Sequence, residues 1–181
     1  MIKIRRSTIT RLRDRLKETG SRPSLVMASG DGILAKAGIL PPEEQAAVQS
    51  VQPVLEMMFL MMAADGALSD EERVVIRGAV RELSEGFVRT ATLNALIQGL
   101  EEALHKEGQE ARLNAVVDLL HEDKPGAESA FVLAAAVAYA DEKIEDSENE
   151  LLNAFADKVM ISAERAETLL DELEQDWQTE T

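Results

Sequence analysis

From Glu43 onward, apolar residues recur at helical spacing, and no segment alternates apolar and polar residues as a half-buried strand would. That pattern restricts the chain to helical architectures. Composition agrees: 45% of residues are apolar but only 3% aromatic, with Ala, Leu, Val and Met supplying the bulk, whereas sheet cores draw on aromatic and β-branched residues. Punctuation divides the pattern. Pro53 suits the first turn of a helix running to about Ala64. Ser69-Asp70-Glu71-Glu72 reads as a capping box opening a helix with Val75, Ile76, Ala79, Val80 and Leu83 on one face. Helices are then predicted over 88–105, 109–121, 127–140, 146–159 and 163–176, with Pro125-Gly126 as a break. The expected fold class is all-α: a single bundle of about seven helices over 45–181, preceded by an N-terminal extension over 1–44.

That extension differs in charge. Through Pro23 there are eight Lys or Arg and two acids, a balance of +6; from Ser24 onward 11 bases face 32 acids, a balance of −21. Ile9, Leu12 and Leu16 fit a short amphipathic helix over 7–19. Gly30, Gly32, Gly38, Pro41 and Pro42 then mark a turn-rich linker. The change of charge and this linker predict an arm that the bundle does not need for folding. Three roles are open for it: solvated, folded back on the acidic body, or in peripheral contact with anionic lipid.

The −21 body repels nucleic-acid phosphates, so no nucleic acid is expected as partner. It favours cations or a basic protein partner. With no cysteine, disulfides, thiolate nucleophiles and Cys-ligated metal sites are excluded. Met1–Arg6 is followed by no long apolar stretch, and the longest apolar runs, 57–64 and 130–140, are shorter than the roughly 20 residues a bilayer requires. A cytoplasmic protein is the expectation.

An internal repeat appears at an offset of 76 residues. Ala64-Asp65-Gly66-Ala67-Leu68-Ser69-Asp70-Glu71-Glu72 lies over Ala140-Asp141-Glu142-Lys143-Ile144-Glu145-Asp146-Ser147-Glu148, and further on Arg89, Thr92 and Leu93 lie over Arg165, Thr168 and Leu169. Two related helical hairpins follow, with Leu55/Phe131, Ile76/Leu152 and Leu83/Val159 as matched core positions.

Each junction places an Asp at the end of one helix and a Glu in the first turn of the next. The Glu suits the positive helix start, whereas the Asp faces the wrong end of a helix dipole, at a cost of about 0.3–1 kcal/mol. Two arrangements offset that cost. The carboxylate can accept backbone N–H bonds in the turn, or a hard divalent cation, Ca²⁺ or Mg²⁺, can sit among Asp65, Glu72, Asp141 and Glu148. The spacing is not that of an EF-hand, because the twelfth positions counted from Asp65 and Asp141 are Ile76 and Leu152. Asp70 and Asp146 are expected to be helix-start acids.

Asp65-Gly66-x-Leu68-x-x-x-Glu72, closing an apolar helix, with the second copy Asp141-x-x-Ile144-x-x-x-Glu148, resembles the tellurite-resistance protein TerB and the TerB-like domains of membrane-anchored J-domain co-chaperones. The resemblance covers about 50–175, and the second copy departs from it at Glu142, where Gly is usual. It implies a compact helical domain, an acidic face that binds metal, and a role in bacterial tellurite or envelope stress.

Other signals are weaker. Ser29-Gly30-Asp31-Gly32 follows the apolar Leu25-Val26-Met27-Ala28 but lacks the βαβ unit that a dinucleotide site needs, so it reads as a turn. His105 and His121 are expected at the surface. Met57, Met58, Met61 and Met62 read as core packing or as a repackable partner groove. No nucleophile motif, cofactor motif or substrate clamp accompanies the carboxylates, so neither an enzyme nor a small-molecule substrate is expected. The functional expectation is a non-enzymatic metal-binding stress protein. The alternative is a metal-free module that docks a protein partner or a second copy of itself through an acidic or Met-rich surface.

Overall fold

A computed structural model describes residues 5–18, 40–64, 66, 68–139 and 145–179, with side chains for all of these except 15–18 and 176–179. Eight helices follow one another: α1 (Arg6–Glu18), α2 (Pro42–Met62), α3 (Asp70–Leu83), α4 (Thr90–Glu107), α5 (Gln109–Leu120), α6 (Lys124–Tyr139), α7 (Asp146–Lys158) and α8 (Ala163–Thr179). There is no strand among the described residues. The all-α bundle with an N-terminal extension is therefore the fold, and seven of the helices lie within 42–179.

The centre is α2 against α6, the most extensive helix pairing among the described residues. The C-terminal half of α2 and almost all of α6 are buried around their whole circumference: every residue from Pro53 to Met62 and from Gly126 to Ala138 is inside. A helix that is apolar on all sides has to be surrounded by other helices, and here it is. The six alanines of α6 between Ala127 and Ala138 keep its profile slim beside the bulky Leu, Met and Phe of α2. The matched positions Leu55/Phe131, Ile76/Leu152 and Leu83/Val159 are all buried.

One proline behaves differently from the sequence expectation. Pro42, not Pro53, occupies the first turn of α2, after Pro41 at the N-cap, and Pro53 lies inside the helix. An internal proline removes one i→i−4 hydrogen bond. The burial of the whole segment from Pro53 to Met62 offsets that loss, and a periodicity argument that starts the helix at the proline misses it.

The internal repeat is real in three dimensions. α2–α3–α4 corresponds to α6–α7–α8, and α3 and α7 begin 76 residues apart, at Asp70 and Asp146. Both end in the same Schellman-type turn. Glu85 (φ 53°) is left-handed, and the Gly86 N–H donates to the Arg81 carbonyl at 2.9 Å. Met160 (φ 58°) is left-handed, and the Ile161 N–H donates to the Ala156 carbonyl at 2.9 Å. A non-glycine residue in this region costs about 1–2 kcal/mol. The Met160 side chain is 79% exposed and so loses little if removed. Met160→Gly is accordingly expected to leave the fold intact and stabilise it by about 0.5 kcal/mol, after the entropy of an added glycine in the unfolded chain is subtracted. A thermal melt that drops by several degrees would show the turn to be unstrained.

The repeat extends to α1 and α5. α5 lies along α2, and α1 lies along α6 to a similar extent. Each unit of four helices thus contributes its first helix to the second helix of the other unit. The expectation of a dispensable arm does not hold for Arg6–Glu18. Ile9 and Leu12 belong to the same hydrophobic core as α2 and α6, Leu12 with no exposed surface, and α1 packs on α3 and α6 with a lesser contact to α8. Of the three roles open to the arm, folding back on the acidic body is the one this segment adopts. Arg6 faces Glu82 at 3.5 Å and Arg13 faces Glu85 at 3.8 Å, both acids at the end of α3.

Candidate functional site

The two helix junctions carry the candidate carboxylates. At the first, Ser69 is the N-cap of α3 and the capping box is complete. The Glu72 N–H donates to Ser69 Oγ at 3.2 Å, while Glu72 Oε2 accepts from the Ser69 N–H at 2.7 Å and from the Ser69 hydroxyl at 2.9 Å. At the second, the Glu145 N–H donates to Glu148 Oε2 at 3.0 Å, in the matching position of α7. Asp70 and Asp146 are the first residues of their helices, as the sequence suggested.

Asp65 and Asp141 lie outside the described residues, as does the Ser29–Gly32 segment. The structure therefore places two of the four proposed ligands, Glu72 and Glu148, and gives each a capping role. α3 packs on α1, α2 and α4, and α7 on α2, α5 and α6, so both helices bear on α2. Among the described residues, no group of three or more His, Asp or Glu side chains is arranged to hold a metal ion.

Two other expectations resolve clearly. Met57, Met58, Met61 and Met62 are all buried, the most open at 3% exposure. They fill the core of α2 and offer no Met-rich docking surface. His105 and His121 are exposed, and His121 Nδ1 lies 3.0 Å from the Asp118 carbonyl.

Three buried carboxylates were not anticipated, and each ties distant helices together. Glu44, in the first turn of α2, accepts from the Arg89 N–H at 3.0 Å, from Arg89 Nε at 2.7 Å and from the Thr92 hydroxyl, and so caps α4 from outside. Burial pushes the Glu44 carboxyl up, but the bonds from Thr92 and Arg89 outweigh it and hold it below the ordinary carboxylate value. Its contribution to stability is present above its unfolded value and lost as the pH falls through the lowered one. In the other unit Glu128 accepts two bonds of 2.8 Å from the Arg165 guanidinium in the first turn of α8, while the Arg165 N–H donates to Ser162 Oγ at 3.2 Å. The bonds to Glu128, opposed by burial and assisted by the Glu128 charge, push the Arg165 guanidinium up. Glu56, in the middle of α2 and 1% exposed, accepts from Arg112 of α5 at 2.8 Å.

The units have diverged on their outer faces. Arg73, Arg77 and Arg81 run along α3 and bond to Glu101, Asn94 and Thr90 of α4. At the same offset α7 carries Asn149, Asn153 and Asp157, and Asn153 bonds to Asn149 within the helix.

No protein-family model, curated protein or solved structure matches this chain. The described helices also include none long and apolar enough to cross a membrane.

Proposed function

We propose that this chain is a non-enzymatic, TerB-like acidic protein whose two helix junctions take up a hard divalent cation, Ca²⁺ or Mg²⁺, through Asp65, Glu72, Asp141 and Glu148, in a tellurite or envelope stress response. The observation that carries the reading is the structural equivalence of the junctions. Glu72 and Glu148 occupy the same position of α3 and α7 in a duplicated scaffold, each just after an apolar helix whose chain continues through an Asp. Capping does not exhaust a carboxylate. It has about four acceptor directions, and among the described residues the bonds from the Ser69 N–H and hydroxyl both go to Glu72 Oε2. The residues thus fit a cation that wants several oxygen ligands.

A second reading, a metal-free module docking a protein partner through its acidic surface, is favoured by one observation: Glu72 and Glu148 already have a structural task as caps. Thermal melts separate the two. A cation at about 100 times its dissociation constant adds about 2.7 kcal/mol of stability. Millimolar Ca²⁺ or Mg²⁺ is expected to raise the melting temperature beyond the effect of NaCl at matched ionic strength. Asp65→Asn with Asp141→Asn is expected to abolish that excess. An unchanged response in the double variant would leave the acids as caps and make the docking module the better account.

A further inference from the structure

The outermost stripe of α3 is Glu71, Val74, Gly78 and Arg81, all exposed. Spaced three, four and three residues apart, they line the side of the helix away from the buried Ile76, Ala79, Val80 and Leu83. Nothing within the chain accounts for this stripe. Val74 is 63% exposed, more than any other large apolar residue inside a described helix. Gly78 stands in mid-helix, where glycine weakens a helix relative to alanine, yet a Cβ there would meet nothing. Arg73 and Arg77 turn aside to Glu101 and Asn94 of α4. Arg81, with five N–H donors, makes a 3.3 Å bond to the neutral Thr90 hydroxyl. The order of the four residues is self-complementary. When two copies of α3 lie antiparallel about a two-fold axis level with Ile76, residue 71 of each copy stands opposite residue 81 of the other, and residue 74 opposite residue 78. Each Glu71 then meets an Arg81, and each Val74 enters the notch left by a Gly78. The duplicated helix has no such order. At the same offset α7 carries Ser147, Glu150, Ala154 and Asp157, which would set Asp157 against a serine and Glu150 against an alanine, so the scaffold alone does not impose the match.

We propose that the outer face of α3 docks a second copy of this chain, as an antiparallel α3–α3 seam in a two-fold dimer. In such an interface every contact occurs twice, so one stripe supplies two Glu71–Arg81 pairs and two Val74–Gly78 contacts. The spacing is that of helices packed at a shallow angle, with the side chains of one entering the spaces of the other. The net charge of −15 opposes the approach of two copies, but α3 itself is nearly balanced, with four acids and three arginines. Salt at physiological strength screens charges beyond about 8 Å, so the distant acids of the two bodies are damped while the pairs in contact are kept. None of the four residues is a ligand in the cation reading, and the dimer stands or falls independently of it.

Sedimentation of the full-length chain over a range of concentrations, at physiological salt, tests the seam. The parent is expected to form a concentration-dependent dimer. Glu71→Arg sets arginine against arginine at both ends of the seam, and Arg81→Glu sets glutamate against glutamate, so each alone is expected to raise the dimer dissociation constant about tenfold or more. Mixed in equal amounts, these two variants oppose unlike charges at both ends and are expected to pair as a heterodimer. The doubly exchanged Glu71→Arg/Arg81→Glu is expected to pair with itself. Gly78→Gln, whose added Cβ meets nothing within the chain, is expected to weaken the dimer by filling the notch. All three positions are exposed, and thermal melts verify that each variant is folded. A parent that stays monomeric at every concentration overturns the proposal and leaves the face to a different protein. A parent dimer that neither single charge variant weakens also overturns it, because the copies then meet elsewhere. So does a mixture of the two variants that remains as dissociated as each alone, because the seam is then not antiparallel.

Discussion

Replacing Arg112 by Ala is expected to destabilise the fold by about 3–5 kcal/mol, the cost of leaving a buried charge without its partner. Glu56 sits at the centre of α2 with 1% of its surface exposed, between Leu55 and the methionines. Arg112, itself only 13% exposed on its side chain, reaches it from α5 through two N–H groups and also bonds to Glu107 at 3.0 Å. Burial pushes the Glu56 carboxyl above its ordinary value even with the guanidinium beside it. Without Arg112 the upward shift grows. A carboxyl raised in the folded state contributes stability that is fully present below its unfolded value of 4.5 and lost as the pH rises through the folded value. The deficit of Arg112→Ala relative to the parent should therefore be larger at pH 7.5 than at pH 5, as read from urea denaturation at both. Glu56→Met with Arg112→Leu removes both charges while keeping bulk, and is expected to come within about 1 kcal/mol of the parent or above it. If Arg112→Ala costs under 1 kcal/mol at pH 7.5, water reaches Glu56 and the pair is not buried in solution.

The helices were legible because their signals are local. Ser69 and Glu72 are three residues apart, and the faces of α3 and α7 repeat at helical spacing; Pro125-Gly126, read as a break, lies instead in the first turn of α6, where a proline gives up no helical hydrogen bond. The duplication was legible as well, since the two capping-box glutamates lie at one offset. The pairs that fasten the units were not. Arg89 and Arg165 stand out as matched residues, yet their partners Glu44 and Glu128 are 45 and 37 residues upstream, and no periodicity links residues so far apart. Glu56 did carry a signal: it is the one acid in the apolar stretch from Val54 to Ala64, and an acid inside a helix buried on all sides has to be paired. Its partner on α5, 56 residues away, is set by tertiary packing alone. The extension misled in another way. Its net charge suggested a solvated arm, but net charge says nothing about which face of an amphipathic helix is apolar, and the face with Ile9 and Leu12 decides where α1 goes.

Leu12→Ala is accordingly expected to cost about 2–5 kcal/mol, the range for truncating a fully buried leucine. Leu12 has no exposed surface and packs with Ile9 into the same core as α3 and α6. If 1–23 were only a solvated arm, the substitution would cost close to nothing. Arg6→Ala supplies the contrast: the Arg6 side chain is 84% exposed, and its pair with Glu82, at 3.5 Å, is a surface ion pair whose loss costs less than about 1 kcal/mol. Urea denaturation at neutral pH distinguishes a docked helix from a decorated surface. In the docked case the Leu12 variant loses several times what the Arg6 variant loses, and equal, small losses would detach α1 from the fold.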